Sequence, residues 1–148
     1  MSLVEDFPHI DIIIRDTVFA GASPEDKFTW DIGEPMDVSD NEVGHLFRQE
    51  DPFFLIETDI SSVHRAGPGM DSRRRVQGAL LISYLTKNQA DRIVALTELG
   101  RMASLFGDST IDGIRFRQYQ PVGSTQMMGF MSYDSAIPFD LELRPMRG

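Results

Sequence analysis

The feature that most constrains the fold is a pair of strand-like segments flanking a Gly-Pro-rich turn. Residues 53–60 carry apolar side chains at four successive positions, from Phe53 to Ile56, so both faces of this strand are expected to be partly covered. Residues 73–85 alternate between two sets of side chains along their whole length. The two segments therefore predict an antiparallel hairpin whose loop, residues 65–72, projects from the sheet.

Two segments have helical patterns. Residues 89–106 form the clearer one, with Asn88 as a suitable N-cap and Gly107 as the residue that ends the helix. The side chains expected on its buried stripe are Ile93, Leu96, Leu99, Gly100, Ala103 and Phe106. Residues 3–19 also have apolar side chains three and four positions apart, which favours a helix. Their β-branched residues leave a strand as the alternative.

The C-terminal part of the sequence predicts two more strands. Residues 111–119 and 127–143 have strand patterns, and residues 121–125 are expected to form the loop between them. Pro138 lies within the last segment and cannot donate a backbone hydrogen bond, which predicts a bulge or an edge position there.

The N-terminal third is less regular. Residues 21–51 are rich in Asp, Glu, Gly, Pro and Ser and predict an irregular loop region, interrupted at residues 28–32 by a piece that suits an edge strand. The order strand, strand, helix, strand, strand predicts an α+β fold: a mainly antiparallel β-sheet with one long helix and an N-terminal helix packed on one face. A chain of 148 residues is expected to form one domain, residues 1–148.

Composition excludes several classes of function. The chain has 23 acidic and 14 basic side chains and a net charge of −9, which argues against general nucleic-acid binding because phosphates need a basic surface. It has no cysteine, so disulfides, a thiol nucleophile and a cysteine-ligated zinc site are excluded. The sequence shows no signal peptide and no apolar run long enough to cross a membrane, so no membrane partner is expected.

No motif in the sequence predicts catalysis. Gly67-Pro68-Gly69 is a turn rather than a phosphate cradle, because proline lacks a donor and no helix follows. The histidines lack metal-ligand spacing, and no acid/base pair stands out among the neighbouring carboxylates: His9, His45 and His64; Glu50 and Asp51; Asp108 and Asp112. No G-x-S-x-G elbow occurs. We therefore expect no catalytic residue, no metal and no cofactor, and a protein that is not an enzyme.

One basic cluster stands out on this acidic chain. Arg73, Arg74 and Arg75 follow the predicted hairpin loop, and Arg65 precedes it. A solvated strand start is the simpler interpretation. The functional hypothesis is that these arginines contact acidic side chains of an adjacent subunit, since complementary patches fix the register of ring assemblies. The acidic partners would be Asp37, Asp40 and Glu42.

From Phe53 onward, the order of the elements and their residue types resembles the tail terminator and minor tail proteins of long-tailed bacteriophages. The resemblance depends on the Gly-Pro-rich hairpin and long strand at 73–85, and on the segments that follow: 90–96, Leu105-Phe106, 114–117, 121–123 and 137–141. Members of that family also open with a helix, but residues 21–51 have no clear counterpart among them.

The resemblance implies a structural virion protein without a cofactor. Such a protein forms a hexameric ring at the head-proximal end of the tail tube, in the neck, and stops tube polymerisation. Its implied partners are copies of itself, the tail-tube protein and a head-completion protein, with DNA passing through the ring without specific binding. Assembly would take place in the host cytoplasm. The alternatives are another neck, head-completion or tail-tube protein, or a small ligand-binding domain of the ferredoxin-like type.

Overall fold

The computed structural model describes residues 7–24, 26–30, 52–65, 74–87, 92–127 and 129–143. These residues form an α+β fold with a mainly antiparallel sheet, as predicted. The two helices are α1 (Phe7–Gly21) and α2 (Arg92–Ala103). The strands are β1 (Phe28–Trp30), β2 (Phe53–Arg65), β3 (Arg74–Thr86), β4 (Thr110–Ile111), β5 (Ile114–Phe116), β6 (Gln120–Met127) and β7 (Phe130–Leu143).

One seven-stranded sheet contains all of these strands. Its order is β1-β2-β3-β7-β5-β4, and β6 pairs with β7 beside β5. The predicted hairpin of β2 and β3 is confirmed, with pairing from Phe53 opposite Leu85 to Arg65 opposite Arg74. A bulge at Ser61 shifts the register once. The strand β1 is parallel to β2, and every other pair is antiparallel.

Both helices pack on one face of this sheet, as predicted. The apolar face of α1 consists of Ile10, Ile13, Ile14 and Val18, all of which are buried. These side chains belong to one core cluster with buried residues of α2 and with the even-numbered side chains of β3 from Val76 to Tyr84. The strand alternative for residues 3–19 is therefore wrong over the described part, because the three-and-four spacing outweighs the β-branched residues.

The other face of the sheet, here called the second face, is buried only at one end. Phe53, Leu55, Leu85 and Phe130 are each less than 5% exposed, and the rings of Phe53 and Phe130 lie 5.4 Å apart in an edge-to-face contact. The prediction that both faces of β2 are covered is thus confirmed at its first four residues.

The buried stripe of α2 differs from the predicted one. Ala95, Leu99, Met102 and Ala103 are buried, whereas Ile93 is 81% exposed and Leu96 is 37% exposed. The prediction was therefore wrong for Ile93 and Leu96. The helix carries two overlapping apolar stripes, and the one with the small alanines allows a close approach to the sheet. The helix itself is confirmed but ends at Ala103, and the turns that follow include Phe106 of the core.

The predicted strand at 111–119 is instead a short hairpin of β4 and β5. Asp112 and Gly113 form its turn with φ angles of 48° and 92°, the left-handed conformations that a two-residue hairpin requires. The predicted loop at 121–125 is also wrong, because these residues belong to strand β6, paired with β7.

Pro138 lies in a central strand and forms no bulge with β3, where it pairs with Ala79 in unbroken register. Its carbonyl oxygen accepts a hydrogen bond from the backbone nitrogen of Arg117, 2.8 Å away, on the opposite side of β7. In an antiparallel strand the nitrogen and carbonyl of a residue point to the same side. The missing donor therefore faces the junction between β5 and β6, where the ladder is interrupted.

An ion-pair cluster fastens α2 to the segment that precedes β1. Arg101 donates from Nη2 to Oδ1 of Asp26 at 2.8 Å and to Oε2 of Glu98 at 2.6 Å. The hydrogen bond to Asp26 is the main reason that the pKa of Arg101 is raised. The guanidinium carbon lies 5.9 Å from the centre of the Phe54 ring, so this side chain connects α2 both to the segment before β1 and to the sheet.

Two glycines provide a matched test of this packing. A Cβ added at Gly78 would clash with the carbonyl oxygen of Asp59 and lie 2.8 Å from Cζ of Phe139, whereas one added at Gly100 would meet no atom within 4 Å. We expect Gly78→Ala to lower the free energy of unfolding by about 1–3 kcal/mol through overpacking. Gly100→Ala should raise it by about 0.5–1 kcal/mol, because alanine is the better helix former.

Urea unfolding followed by circular dichroism measures both changes. Equal midpoints for the two variants would contradict the close approach of Asp59 and Phe139 to Gly78.

Candidate assembly interface

On one side of the sheet, most of β2 lies without a neighbouring strand among the described residues. The short strand β1 pairs only with residues 54–56 of β2, and no other described strand lies beside the rest of it. Asp59, Ser61 and Val63 are exposed on this part of the strand, Val63 to 44%. An open strand edge presents unpaired backbone donors and acceptors, which makes it a template for another strand.

A second open edge lies at the other end of the sheet, along β6. Residues 120–126 are all exposed, and within the described ranges β6 pairs with β7 alone. Val122 is the extra residue of a bulge between Pro121 and Gly123, and its side chain is 66% exposed. Because β6 has bare faces as well as a bare edge, it depends on β7 for its position.

A carboxylate surrounded by hydroxyl groups strengthens this attachment. Oδ1 of Asp134 accepts hydrogen bonds from Oγ of Ser83 at 2.7 Å and from Oγ of Ser132 at 2.6 Å. Oδ2 accepts a longer one, 3.5 Å, from Oγ1 of Thr125. The donors come from β3, β7 and β6, so Asp134 links three neighbouring strands on the second face of the sheet.

An apolar pocket lies beside the open edge of β2, on the face that carries the helices. Its volume is about 270 Å³, and residues of α1 and β2 line it: Phe7, Pro8, Ile10, Asp11, Thr58 and Ile60. Phe7 is 37% exposed at this site. The guanidinium carbon of Arg74 lies 5.8 Å from the centre of the Phe7 ring, and its buried Nε has no hydrogen-bond acceptor among the described residues.

The structure separates the side chains of two arginines of the predicted basic cluster. Arg74 and Arg75 are neighbours in β3, so their side chains leave the sheet on opposite faces. Arg75 already forms an exposed ion pair with Glu142 of the same chain, at 3.5 Å. The backbone of Arg65 pairs with that of Arg74, and Arg73 lies outside the described residues. The acidic partners Asp37, Asp40 and Glu42 lie outside them too, so the subunit contact stays a prediction.

The other residues considered for chemistry are dispersed. Asp108 and Asp112 are exposed turn residues with φ angles of 54° and 48°. Glu50, Asp51 and His45 lie outside the described residues. Among those that the structure describes, no three His, Asp or Glu side chains converge in a way that would hold a metal ion. No helix within the same residues has the length and apolar character needed to span a membrane.

The fold class is therefore α+β, with a mainly antiparallel sheet. No protein-family model matches this sequence, and a search of curated proteins finds no match to it.

Sequence reasoning missed the β6 edge and the Asp134 cluster. The Asp112-Gly113 pair between two apolar residues was a usable signal for the short hairpin. For β6 the signal is weak, because Pro121, Gly123 and Ser124 are all typical of loops. The Asp134 cluster had no local signal, since Ser83 is 51 residues away in the chain.

Replacing Asp134 should loosen β6. Asp134→Ala leaves the buried hydroxyl of Ser132 without its acceptor, which we expect to cost about 1–3 kcal/mol of stability. Backbone amides of residues 120–127 should also exchange faster, as measured by hydrogen–deuterium exchange with mass spectrometry.

Asp140→Ala is the matched control. Asp140 lies on β7, as Asp134 does, and its replacement removes an exposed ion pair with Arg117. It should cost less than about 1 kcal/mol and leave exchange in β6 unchanged. Equal exchange in the two variants would rule out a role for Asp134 in holding β6.

Proposed function

We propose that this chain is a structural virion protein, a tail terminator that assembles with copies of itself into a ring at the head-proximal end of a phage tail tube. The observation that carries the proposal is that, among the described residues, two strands at opposite sides of one sheet have edges without a partner strand: β2 beyond residue 56, and β6. Two different surfaces that fit each other give a head-to-tail contact, and such contacts close into rings when the rotation between subunits allows it.

Strand directions favour this arrangement. β2 is antiparallel to β3, β3 to β7, and β7 to β6, so β2 and β6 of one protomer run in opposite directions. When copies are related by rotation about an axis along the strands, the β5 and β6 side of one copy runs antiparallel to the β2 side of the next. The sheet can then continue around a ring with the pairing already dominant within each protomer.

Charge supports a ring around a DNA channel. Strand alternation puts Glu57, Asp59 and Asp134 on the second face of the sheet, with Asp140 and Glu142 farther along β7. The chain as a whole has a net charge of −9. A wall of this composition lets DNA pass without holding its phosphates. Stopping the tube and joining it to the head follow from the resemblance in element order, which points to the tail-tube protein and a head-completion protein as partners.

The ligand-binding alternative has less support. The pocket beside β2 is about 270 Å³, just below the range of about 300–1,000 Å³ that is usual for small-molecule sites. Among the described residues that line it, Asp11 is the one charged side chain. Another neck or tail-tube role would use the same open edges. The partner that binds the ring distinguishes these roles.

Assembly is tested by light scattering over a concentration series, with negative-stain images of the same samples. We expect a mass of about six protomers and ring-shaped particles at high concentration. A chain that stays monomeric at every concentration and forms no ring would contradict the self-assembly on which this proposal depends.

The basic cluster gives a second test of assembly. Reversing Arg73 and Arg75 to glutamate should block ring formation while the fold survives, because exposed ion pairs such as Arg75–Glu142 contribute less than about 1 kcal/mol. Arg92→Glu, an equal type of charge change at an exposed position on α2, is the control and should assemble normally. Light scattering reports the mass, and circular dichroism the fold. Normal assembly of the doubly reversed variant would remove these arginines from the interface.

A further inference from the structure

We propose that the outer side of α2 is a further contact surface, on which the α2 helices of two copies of this chain pack antiparallel about a twofold axis. Neighbouring subunits of a ring present different surfaces to each other, whereas a twofold contact uses the same surface of both copies. The inference therefore goes beyond the proposed ring and does not depend on it.

The outer side of α2 carries an uncharged stripe, here called the outer stripe. Its members are three and four positions apart, as on one face of a helix: Ile93, Leu96, Thr97, Gly100 and Ser104. Ile93 is 81% exposed and Leu96 37% exposed, and Thr97 and Ser104 are exposed as well. The backbone nitrogen of Ser104 donates to the carbonyl oxygen of Gly100 at 2.9 Å, so the helical spacing holds as far as Ser104. The solvent face of a helix is normally charged or polar, so an apolar stripe there indicates a contact.

Gly100 has no explanation within one copy of the chain. A Cβ built at Gly100 meets no atom within 4 Å, so packing within the described part of the chain does not require glycine there. Glycine inside a helix is less stable than alanine. A glycine on a helix surface allows another backbone to approach closely. A second helix that lies against Gly100 would therefore explain its presence.

The outer stripe is complementary to itself when two copies are antiparallel. Its N-terminal half holds the large side chains of Ile93 and Leu96. Its C-terminal half holds the small residues Gly100 and Ser104, and its centre lies midway between Thr97 and Gly100. About a twofold axis at this centre, Ile93 of one copy lies opposite Ser104 of the other. Large side chains then meet small ones at both ends, as close packing of two helices requires.

Charge beside the outer stripe favours the same orientation. Glu98 and Arg101 lie on one flank of the stripe and form an ion pair, with Nη2 of Arg101 2.6 Å from Oε2 of Glu98. The twofold axis between antiparallel helices brings this flank of both copies together. Glu98 of each copy then lies near Arg101 of the other, which is a complementary arrangement of charge. The N-terminal end of each helix also lies beside the C-terminal end of the other, as the helix dipoles favour.

The size of the contact indicates its strength. One helix from each copy buries less than the total of roughly 1,200 Å² at which stable protein interfaces begin. We therefore expect pairs that form at high protein concentration and separate on dilution.

Introduced cysteines test the contact, because the chain has none of its own. Thr97 lies beside the proposed twofold axis, so Thr97→Cys brings the thiols of two copies within reach of a short bismaleimide. We expect linked dimers at high protein concentration and a steep loss of yield on dilution. Ala20→Cys, at an exposed position of α1, is the control and should stay unlinked.

The orientation is tested by two further cysteine variants. The two Ile93 residues of an antiparallel pair lie at opposite ends, about 16 Å apart along the helix axis, whereas Ile93 lies opposite Ser104 of the other copy. A mixture of Ile93→Cys and Ser104→Cys should therefore link, and Ile93→Cys alone should not. Linking of Ile93→Cys with itself in place of the mixed link would show that the helices are not antiparallel and overturn the proposal.

Gly100 gives a test of the close approach. Gly100→Leu should lower the yield of linked Thr97→Cys dimers about tenfold or more, because the new side chain occupies the space of the second helix. The fold should survive, since a Cβ at this position points into open space and leucine favours a helix more than glycine does. Ala20→Leu adds a large side chain at an exposed position of α1 and should leave the yield unchanged. Circular dichroism during urea unfolding checks that each variant is folded.

Two outcomes would overturn the contact: Thr97→Cys that links no more than Ala20→Cys, or a yield that Gly100→Leu leaves unchanged. Neither outcome bears on the proposed ring, which light scattering and negative-stain images of the original chain test separately.

Discussion

The structure depends on the continuous ladder that joins β3 to β2 on one side and to β7 on the other. Every residue of β3 from Arg74 to Thr86 has a partner in β7, and the pairing with β2 is interrupted only at the Ser61 bulge. Burial reinforces this ladder, since Leu80 and Ile82 of β3 are fully buried beneath the helices. Backbone hydrogen bonds are expensive to leave unmade in a buried place, so this central strand sets the register of its neighbours.

The same ladder decides where the sheet stops. β7 is longer than either of its outer neighbours, so β5 and β6 share its free side, and Pro138 lies where neither of them needs its missing donor. β2 is likewise longer than β1, which pairs with three residues of β2. Central strands that extend beyond the outer ones therefore have backbone groups without a partner strand among the described residues, and such edges can pair with another chain. The bulges at Ser61 and Val122 and the missing donor of Pro121 disturb regular pairing at these edges. They therefore reduce unspecific pairing and still allow a specific partner.

Much of this fold followed from local pattern. The β2–β3 hairpin, both helices and the α+β class were predicted because alternation and three-and-four spacing act over short distances. Prediction failed where local signals were balanced or absent. Ile93 and Leu96 compete with Ala95 and Met102 as the buried stripe, and only contact with the sheet decides between them. β6 consists of loop-forming residues that become a strand because β7 offers an edge and Asp134 a hydrogen bond. The basic cluster was visible in the sequence, but strand alternation divides Arg74 from Arg75.

In the proposed assembly, charge repulsion opposes the association of copies, whereas backbone pairing and apolar burial favour it. Each protomer has a net charge of −9, so bringing copies together raises their mutual repulsion. Main-chain hydrogen bonds between strand edges and the burial of apolar side chains do not depend on net charge. Repulsion between exposed charges is screened within about 10 Å at 0.1 M salt, whereas apolar burial is not. An acidic chain with open edges can therefore remain dispersed while dilute and still assemble specifically, because short-range contacts select the partner and long-range charge discourages every other encounter.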